Sequence, residues 1–194
     1  MTIDTGQTTL FPLDAQRPQG FTYWNDFISP QEEEELLNVI SRIKLHPLIF
    51  QGFEAKRKVK SFGYDYHFDS RSISKGQPIP EDFIPLVRRV SESIRIPRTD
   101  IKELLVTEYP PGAVINWHRD APPFDVVVGI SLLSDCKLRF RPHDKAKQAR
   151  ETLITIPVHR RSLYVIRDEA RTAWEHSISP VKETRYSVTL RTMR

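Results

Sequence analysis

The chain is poor in cysteine. Of its 194 residues only Cys136 carries a thiol. A single thiol excludes an internal disulfide, and it excludes a zinc site built from cysteine alone. Any metal ion bound by the chain must therefore be held by histidine, aspartate or glutamate.

Long apolar runs are also absent. No segment approaches the roughly 18 consecutive apolar residues that a membrane-spanning helix needs. Met1 to Gly20 lacks the basic start and the apolar centre of a secretion signal. We therefore expect a cytoplasmic protein that does not enter a membrane, and we expect it to act as a monomer.

Internal repeats and low-complexity blocks are missing as well, which argues against a solenoid. The length favours one domain. The polar stretch of residues 1–20 is expected to form a loosely ordered tail before a single domain of residues 21–194. Within that domain, residues 21–100 would supply helical support and residues 101–194 a β-rich core. A net charge of +4 gives a mild preference for anionic partners such as nucleic acid.

Two helices are predicted in the first half of the chain. Ser29-Pro30-Gln31-Glu32 has the features of a helix start, namely a capping serine, proline at the first position and glutamate three residues after the cap. A second helix is expected from Pro80 to about Ile94. Apolar residues recur at helical spacing in both, at Leu36, Leu37, Ile40 and Ile43 in the first and at Phe83, Leu86, Val87, Val90 and Ile94 in the second.

After Pro97 the pattern changes to short β-branched runs separated by turn residues. About eight strands following helices fit a mostly β fold, a jelly roll (double-stranded β-helix) braced by the N-terminal helices. The predicted strands are Glu103 to Tyr109, Val126 to Leu133, Lys137 to Arg141, Thr152 to Ile156, Ser162 to Ile166 and Tyr186 to Leu190.

A His-x-Asp motif, His118-Arg119-Asp120, follows a turn and a short strand. Residues two apart on a strand point to the same side, so the imidazole and the carboxylate can hold one ion. His176, 58 residues further on, is the candidate third ligand. Two histidines and one carboxylate suit Fe(II) and leave coordination positions open, although zinc accepts the same ligand types.

Two arginines follow the third ligand on the predicted last strand. Arg185 and Arg191 are six residues apart, which places both guanidinium groups on one face. Such groups bind carboxylates bidentately, so a dicarboxylate near the metal is the expected ligand. A second His-x-Asp, His67-Phe68-Asp69, is rejected as the metal site because it precedes the β-rich region and runs into a polar segment.

Taken together, these residues resemble the AlkB family of nucleic-acid dealkylating dioxygenases, over roughly the last two thirds of the chain. The family pattern is a tyrosine and turn, His-x-Asp, a distant histidine, then Arg-x5-Arg. The resemblance implies His118, Asp120 and His176 as the catalytic iron ligands. It also implies that Tyr109 and Arg185 bind the far carboxylate of 2-oxoglutarate, that Arg191 lies nearer the metal, and that Thr107 contacts the co-substrate where the family often has asparagine.

The resemblance further implies the cofactors Fe(II), 2-oxoglutarate and O2, and the oxidative dealkylation of alkylated bases in DNA or RNA. That reaction would release succinate, CO2 and an aldehyde, as DNA repair or RNA demethylation. The substrate would be single-stranded or present a flipped base. One departure concerns the substrate side, since Ala121-Pro122-Pro123 stands where well-known repair enzymes have further polar or acidic residues.

One segment mixes cations with aromatics, as a phosphate track and stacking surface would. By family analogy it forms a nucleotide-recognition lid, and a solvated loop leading into an edge strand is the alternative. Its candidate substrate-binding residues are Lys58, Lys60, Phe62, Tyr64 and Tyr66.

Two further hypotheses stay open at this point. The same oxygenase chemistry could act on a protein side chain or on a small metabolite. Alternatively, the chain could be a jelly-roll binding module in which the metal is structural or absent. Binding of iron and 2-oxoglutarate would separate the second from the first, because a ligand that binds only the native state raises its stability.

Overall fold

The computed structural model describes residues 17–50, 52–67 and 70–194. Most of the predicted tail, residues 1–16, lies outside the described residues. Residues 17–20 are packed onto the rest of the chain, because the carbonyl oxygen of Gln19 accepts a 2.7 Å hydrogen bond from the backbone of Ala170.

The described residues form three α-helices and twelve strands. The helices are α1 (Pro30–Ser41), α2 (Ile84–Ile94) and α3 (Asp168–Thr172). The strands are β1 (Phe21–Trp24), β2 (His46–Phe50), β3 (Phe53–His67), β4 (Ser72–Lys75), β5 (Ile101–Tyr109), β6 (Ile115–His118), β7 (Phe124–Leu132), β8 (Cys136–Pro142), β9 (Ile154–Val158), β10 (Leu163–Ile166), β11 (Trp174–Ile178) and β12 (Arg185–Met193).

The strands form two antiparallel sheets. The larger has the order β1-β10-β7-β12-β5-β3-β2, with β4 paired to β3, and the smaller has the order β6-β11-β8-β9. Most strand pairs join segments that are distant in the chain, as β12 lies between β5 and β7. This is the predicted double-stranded β-helix, and the mostly β fold class is confirmed.

Helices α1 and α2 pack on the outer face of the larger sheet. The start of α1 has the predicted capping box, in which Ser29 accepts from the backbone of Glu32 while the Glu32 carboxylate accepts from the backbone of Ser29. Helix α2 begins after a single 3-10 turn over Glu81–Phe83. Their apolar faces share one core with the outward side chains of the sheet, including Leu104 and Val106 of β5 and Val188 and Leu190 of β12. The helices therefore brace the sheet from one side.

The inner face of the larger sheet packs against the smaller sheet. A second core fills this space, with Phe21, Tyr109, Val127 and Tyr164 on one side and Leu138 and Phe140 on the other. Side chains alternate along a strand. On β5 and β12 the residues between the outward apolar ones therefore point into this inner space, where the candidate site lies.

Strand β3, which was not among the predicted strands, is 15 residues long. It pairs with β5 up to Gly63 and with β4 from Tyr64 onward. Gly63 has φ of +87°, and a Cβ there would lie 2.1 Å from the carbonyl oxygen of Lys102, so only glycine fits at this change of partner. Within the described part of the chain, no helix is long and apolar enough to cross a membrane.

Candidate metal centre and co-substrate pocket

His118, Asp120 and His176 meet at one point between the two sheets. His118 ends β6 and pairs directly with His176 on β11. One ligand atom from each of the three residues lies within 4.8 Å of the others, and the His176 Nε2 to Asp120 Oδ2 distance is 3.4 Å. Strands β6 and β11 are hydrogen-bonded neighbours, so residues 58 positions apart present their imidazoles to the same space.

Hydrogen bonds orient two of the three ligands. His118 Nδ1 lies 2.8 Å from the carbonyl oxygen of Asn116, so a proton on Nδ1 leaves Nε2 free to bind a metal. Oδ1 of Asp120 accepts from Nε and Nη2 of Arg191 at 3.2 and 3.1 Å. Oδ2 of Asp120 is buried and finds no hydrogen-bond donor among the described residues. One carboxylate oxygen is thus held in place, and the other is available as a ligand.

Protonation states in this cluster also favour cation binding. Burial raises the pKa of the Asp120 carboxyl, but Arg191 and His176 outweigh burial and hold the pKa well below its usual range. Burial together with the neighbouring His118 lowers the pKa of His176 to about 3. A negative carboxylate beside a neutral imidazole is the form in which both groups bind metal.

Arg171 holds the loop that follows Asp120. Its Nη2 lies 3.0, 2.8 and 2.9 Å from the carbonyl oxygens of Asp120, Ala121 and Phe124, and the side chain is buried. Arg171 comes from α3, directly before β11. The arginine therefore fixes the backbone on which one metal ligand stands relative to the strand that carries another.

Arg191 is bound by two carboxylates. Besides Asp120, it donates to Glu103 Oε2 through Nη1 at 2.6 Å. Burial raises the pKa of Glu103, whereas Arg191 opposes that rise. The sequence predicts Arg191 near the metal end. In the structure its guanidinium also neutralises the Asp120 carboxylate and holds it in place.

Arg185 lies at the other end of β12 in a different environment. Its side chain is completely buried, and its Nε donates to Ser131 Oγ at 2.9 Å. Cζ lies 4.8 Å from the ring centre of Tyr109. Neither Nη1 nor Nη2 has a hydrogen-bond partner among the described residues. Two unpaired terminal nitrogens on a buried guanidinium suit an anionic ligand, because an unpaired buried charge is costly.

These unpaired groups fit the expected metal and co-substrate. The free Asp120 Oδ2 and the two imidazoles supply a two-histidine, one-carboxylate ligand set. The unpaired terminal nitrogens of Arg185 would hold one carboxylate of 2-oxoglutarate. Thr107 lies on the same inner face as Tyr109 and Glu103, opposite Ser187 on β12.

The structure does not bring all of the predicted substrate residues to this site. Lys58, Lys60 and Phe62 point to the other face of the large sheet: Lys58 lies 3.5 Å from Glu108, and Phe62 belongs to the core beneath the helices. The Lys60 ammonium lies over the Phe62 ring, 5.7 Å from its centre. The physical reason is strand alternation, since these three residues are each two apart and share the outward side.

Tyr64 and Tyr66 come after the change of partner at Gly63. The Tyr66 ring lies 6.4 Å from that of Phe124, and the Arg191 guanidinium lies 5.2 Å from the Phe124 ring centre on the inner side. Tyr66 is therefore near the site. Both tyrosines belong to the part of β3 that pairs with β4, Tyr64 opposite Lys75 and Tyr66 opposite Ile73. His67, from the rejected motif, bonds Ser74 at 2.7 Å, and residues 68 and 69 lie outside the described part.

Sequence reasoning missed Glu103 as a site residue. The register of β5 and β12 pairs Arg185 with Tyr109 and Arg191 with Glu103. In an antiparallel pair the two sequence numbers have a constant sum. With Tyr109 and Arg185 as cross-strand neighbours, that rule places Glu103 opposite Arg191.

Comparisons with known proteins agree with this geometry. The family model of the 2OG-Fe(II) oxygenase superfamily matches residues 20–194. The mouse "tRNA (carboxymethyluridine(34)-5-O)-methyltransferase ALKBH8" is 28% identical over 172 residues, covering 85% of this chain and 25% of that protein. "Uncharacterized protein L905" of Acanthamoeba polyphaga mimivirus is 26% identical over 200 residues, covering 91% and 86%. The chain thus spans about a quarter of the ALKBH8 relative.

Solved structures share the fold at low sequence identity. OsALKBH1 superposes with a TM-score of 0.73 at 15% identity, covering 93% of this chain and all of that one. A Pseudomonas putida prolyl-4-hydroxylase gives 0.62 at 16%, covering 90% and 93%.

Proposed function

The chain belongs to the 2OG-Fe(II) oxygenase superfamily, and from that membership we propose that it dealkylates alkylated bases of DNA or RNA by oxidation. The enzyme is a 2-oxoglutarate-dependent dioxygenase that uses Fe(II), 2-oxoglutarate and O2. One observation carries the proposed site. A carboxylate oxygen without a hydrogen-bond donor and two imidazoles face the same inner space as a buried arginine whose two terminal nitrogens lack a partner among the described residues.

Each residue of the site has a separate task in this proposal. His118, Asp120 and His176 hold the metal, and Arg185 with Tyr109 binds the far carboxylate of 2-oxoglutarate. Arg191 keeps Asp120 ionised and oriented. When bound, iron and 2-oxoglutarate together supply the oxidising power, so the protein itself contributes placement and exclusion of water.

The overall reaction balances without a side-chain nucleophile. One oxygen atom of O2 enters the alkyl C–H bond of the substrate, and the other enters succinate as 2-oxoglutarate loses CO2. The hydroxylated alkyl group on nitrogen is a hemiaminal, which releases an aldehyde and leaves the free base. No general base is needed at the substrate nitrogen.

A nucleic-acid substrate is supported by the relatives and by charge. The curated relatives that match this chain include tRNA-modifying ALKBH8 proteins and the Arabidopsis thaliana "Alkylated DNA repair protein ALKBH8 homolog", at 26% identity over 79% of this chain. The net charge of +4 has the sign that a polyanionic substrate requires. The alternative is the same chemistry on a protein side chain or a small metabolite.

A substrate panel tests the proposal. Alkylated single- and double-stranded oligonucleotides of DNA and RNA are incubated with Fe(II), 2-oxoglutarate and the protein, and succinate and formaldehyde are measured together. We expect both products in equal amounts with at least one methylated oligonucleotide, none with His118→Ala, and wild-type amounts with Lys60→Gln. If iron and 2-oxoglutarate bind but no alkylated oligonucleotide is turned over, the proposed substrate class is wrong and the alternative gains support.

A further inference from the structure

Arg57 lies on the inner side of β3, beside the co-substrate pocket. Lys58 pairs with Glu108 and Val59 with Thr107. Since the strands are antiparallel, Arg57 comes level with Tyr109, the residue that packs against Arg185. The Arg57 side chain is half-buried, and its Nη1 donates to the carbonyl oxygen of Val114 at 3.3 Å.

Arg57 differs from Arg191 in its ion pairs. Among residues 17–50, 52–67 and 70–194, no carboxylate forms an ion pair with it, whereas Arg191 has two. Burial lowers the pKa of Arg57; Tyr109 raises it, and the cationic Arg191 lowers it. A cation in a partly buried and already cationic setting is stabilised when an anion binds there.

The surroundings of Arg57 place it at the entrance of the pocket. Val114, its hydrogen-bond partner, is 37% exposed and begins the approach to β6 and His118. A Cβ built on Gly112 would lie 3.3 Å from the Lys56 ammonium. A second, exposed cation therefore lies over the turn that contains Gly112 and leads to Val114. The far carboxylate of 2-oxoglutarate is assigned to the deeper Arg185, which leaves Arg57 for an anion that comes from outside.

We propose that Arg57 forms an anion subsite at the mouth of the active site and takes a phosphate of the nucleic-acid substrate. The inference rests on the proposed function, because the substrate must carry phosphates. The proposal also changes which residues of the basic segment, Lys56 to Lys60, bind the substrate. Arg57 on the inner side binds it, whereas Lys58 and Lys60 on the outer side do not.

Binding of a fluorescently labelled single-stranded RNA of about ten nucleotides tests this subsite. Anisotropy titrations compare the wild type with Arg57→Gln, Arg57→Lys and Lys58→Gln at several salt concentrations. Lys58→Gln is the matched control, because it removes the same charge from the adjacent residue on the opposite face. Thermal unfolding of each variant shows that the fold is retained, and the affinity for 2-oxoglutarate is measured separately by its thermal shift.

We expect Arg57→Gln to weaken RNA binding about tenfold and to reduce the slope of log affinity against log salt by about 0.7, the contribution of one phosphate on a single strand. Arg57→Lys should recover part of the affinity, and Lys58→Gln should bind like the wild type. The affinity for 2-oxoglutarate should stay the same in all of them.

Three outcomes would overturn the proposal in distinguishable ways. Equal effects of Arg57→Gln and Lys58→Gln would show only general charge attraction, leaving the dealkylase proposal intact. A loss of 2-oxoglutarate affinity without a loss of RNA affinity would assign Arg57 to the co-substrate instead. If the wild type binds neither RNA nor a single-stranded DNA of the same length, the subsite and the proposed substrate class both fail.

Discussion

Arg185 and Arg191 stand on the same face of the same strand, yet their environments are opposite. Arg191 is bound by Glu103 and Asp120, whereas both terminal nitrogens of Arg185 lack a partner among the described residues. The paired arginine, Arg191, belongs to the folded structure and keeps Asp120, a proposed metal ligand, in place. The terminal nitrogens of Arg185 are available to donate hydrogen bonds to a ligand. Two arginines six positions apart therefore differ in role: Arg191 stabilises the fold, and Arg185 is available to bind a ligand.

The largest effect is expected when Asp120 is removed, because this carboxylate is both a proposed metal ligand and a partner of Arg191. Asp120→Ala deletes a metal ligand and leaves Arg191 with one partner instead of two. A change in a residue that only supports a ligand already costs about 10- to 100-fold in metal affinity, so we expect the loss of the ligand itself to abolish turnover. Binding of Mn(II), measured by calorimetry, would check this, and retained Mn(II) affinity would contradict the assignment.

Arg191→Gln should mainly damage the folded state. It leaves Glu103 and Asp120 buried without their cation, which costs about 3–5 kcal/mol when one partner of a buried pair is removed. Urea unfolding of the metal-free protein measures this loss directly. Stability within about 1 kcal/mol of the wild type would show that the two carboxylates find another way to be satisfied.

Arg185→Gln should do the reverse. Without an anion its charge is buried at a cost, so the variant without ligand should be at least as stable as the wild type. Its affinity for 2-oxoglutarate should fall about 100-fold, because a charged hydrogen-bonded pair is lost. The thermal shift produced by 2-oxoglutarate reports both quantities, and an unchanged shift would remove Arg185 from the co-substrate site.

Arg171 adds a third, intermediate case, because its partners are neutral carbonyl oxygens. Arg171→Met keeps much of the side-chain volume but removes the donor that joins residues 120, 121 and 124. We expect a loss of about 1–3 kcal/mol in stability and roughly a tenfold loss in metal affinity. Mn(II) titration against Arg98→Met, an exposed arginine outside the loop that carries Asp120, gives the control.

Lys60→Gln should have the smallest effect. Its side chain is on the helix side of the large sheet, away from the inner pocket. Changes at such surface positions usually stay within about 0.5 kcal/mol. Turnover and 2-oxoglutarate affinity should therefore match the wild type, and a reduced affinity would mean that the outer face takes part in binding.

The sequence predicts the candidate metal and co-substrate residues better than the residues that face the substrate. His-x-Asp and the two arginines are local patterns on strands, and strand alternation alone assigns their common face. The predicted strands and the first helix also lie where the structure has them, within a few residues. The large hairpin of β2 and β3 was not predicted, because β3 is rich in charge without a clear apolar alternation and β2 is only five residues long.

The prediction and the structure also differ in which face of β3 lies toward the site. Lys58, Lys60 and Phe62 were chosen for their residue types, but the pairing of β3 with β5 determines their direction. The φ of +87° at Gly63 then changes the strand's partner from β5 to β4. Neither the register nor the effect of one glycine can be inferred from composition, so Tyr66 and Arg57 approach the site while the three predicted residues do not.

The place of β12 also bears on how the chain folds during synthesis. Strand β12 follows every other strand in chain order, yet it lies between β5 and β7 in the large sheet. Until it has left the ribosome, both neighbours present open edges that other chains can pair with. The same strand carries Arg185, the proposed co-substrate ligand, so on that proposal a nascent chain can bind its co-substrate only after those edges are closed.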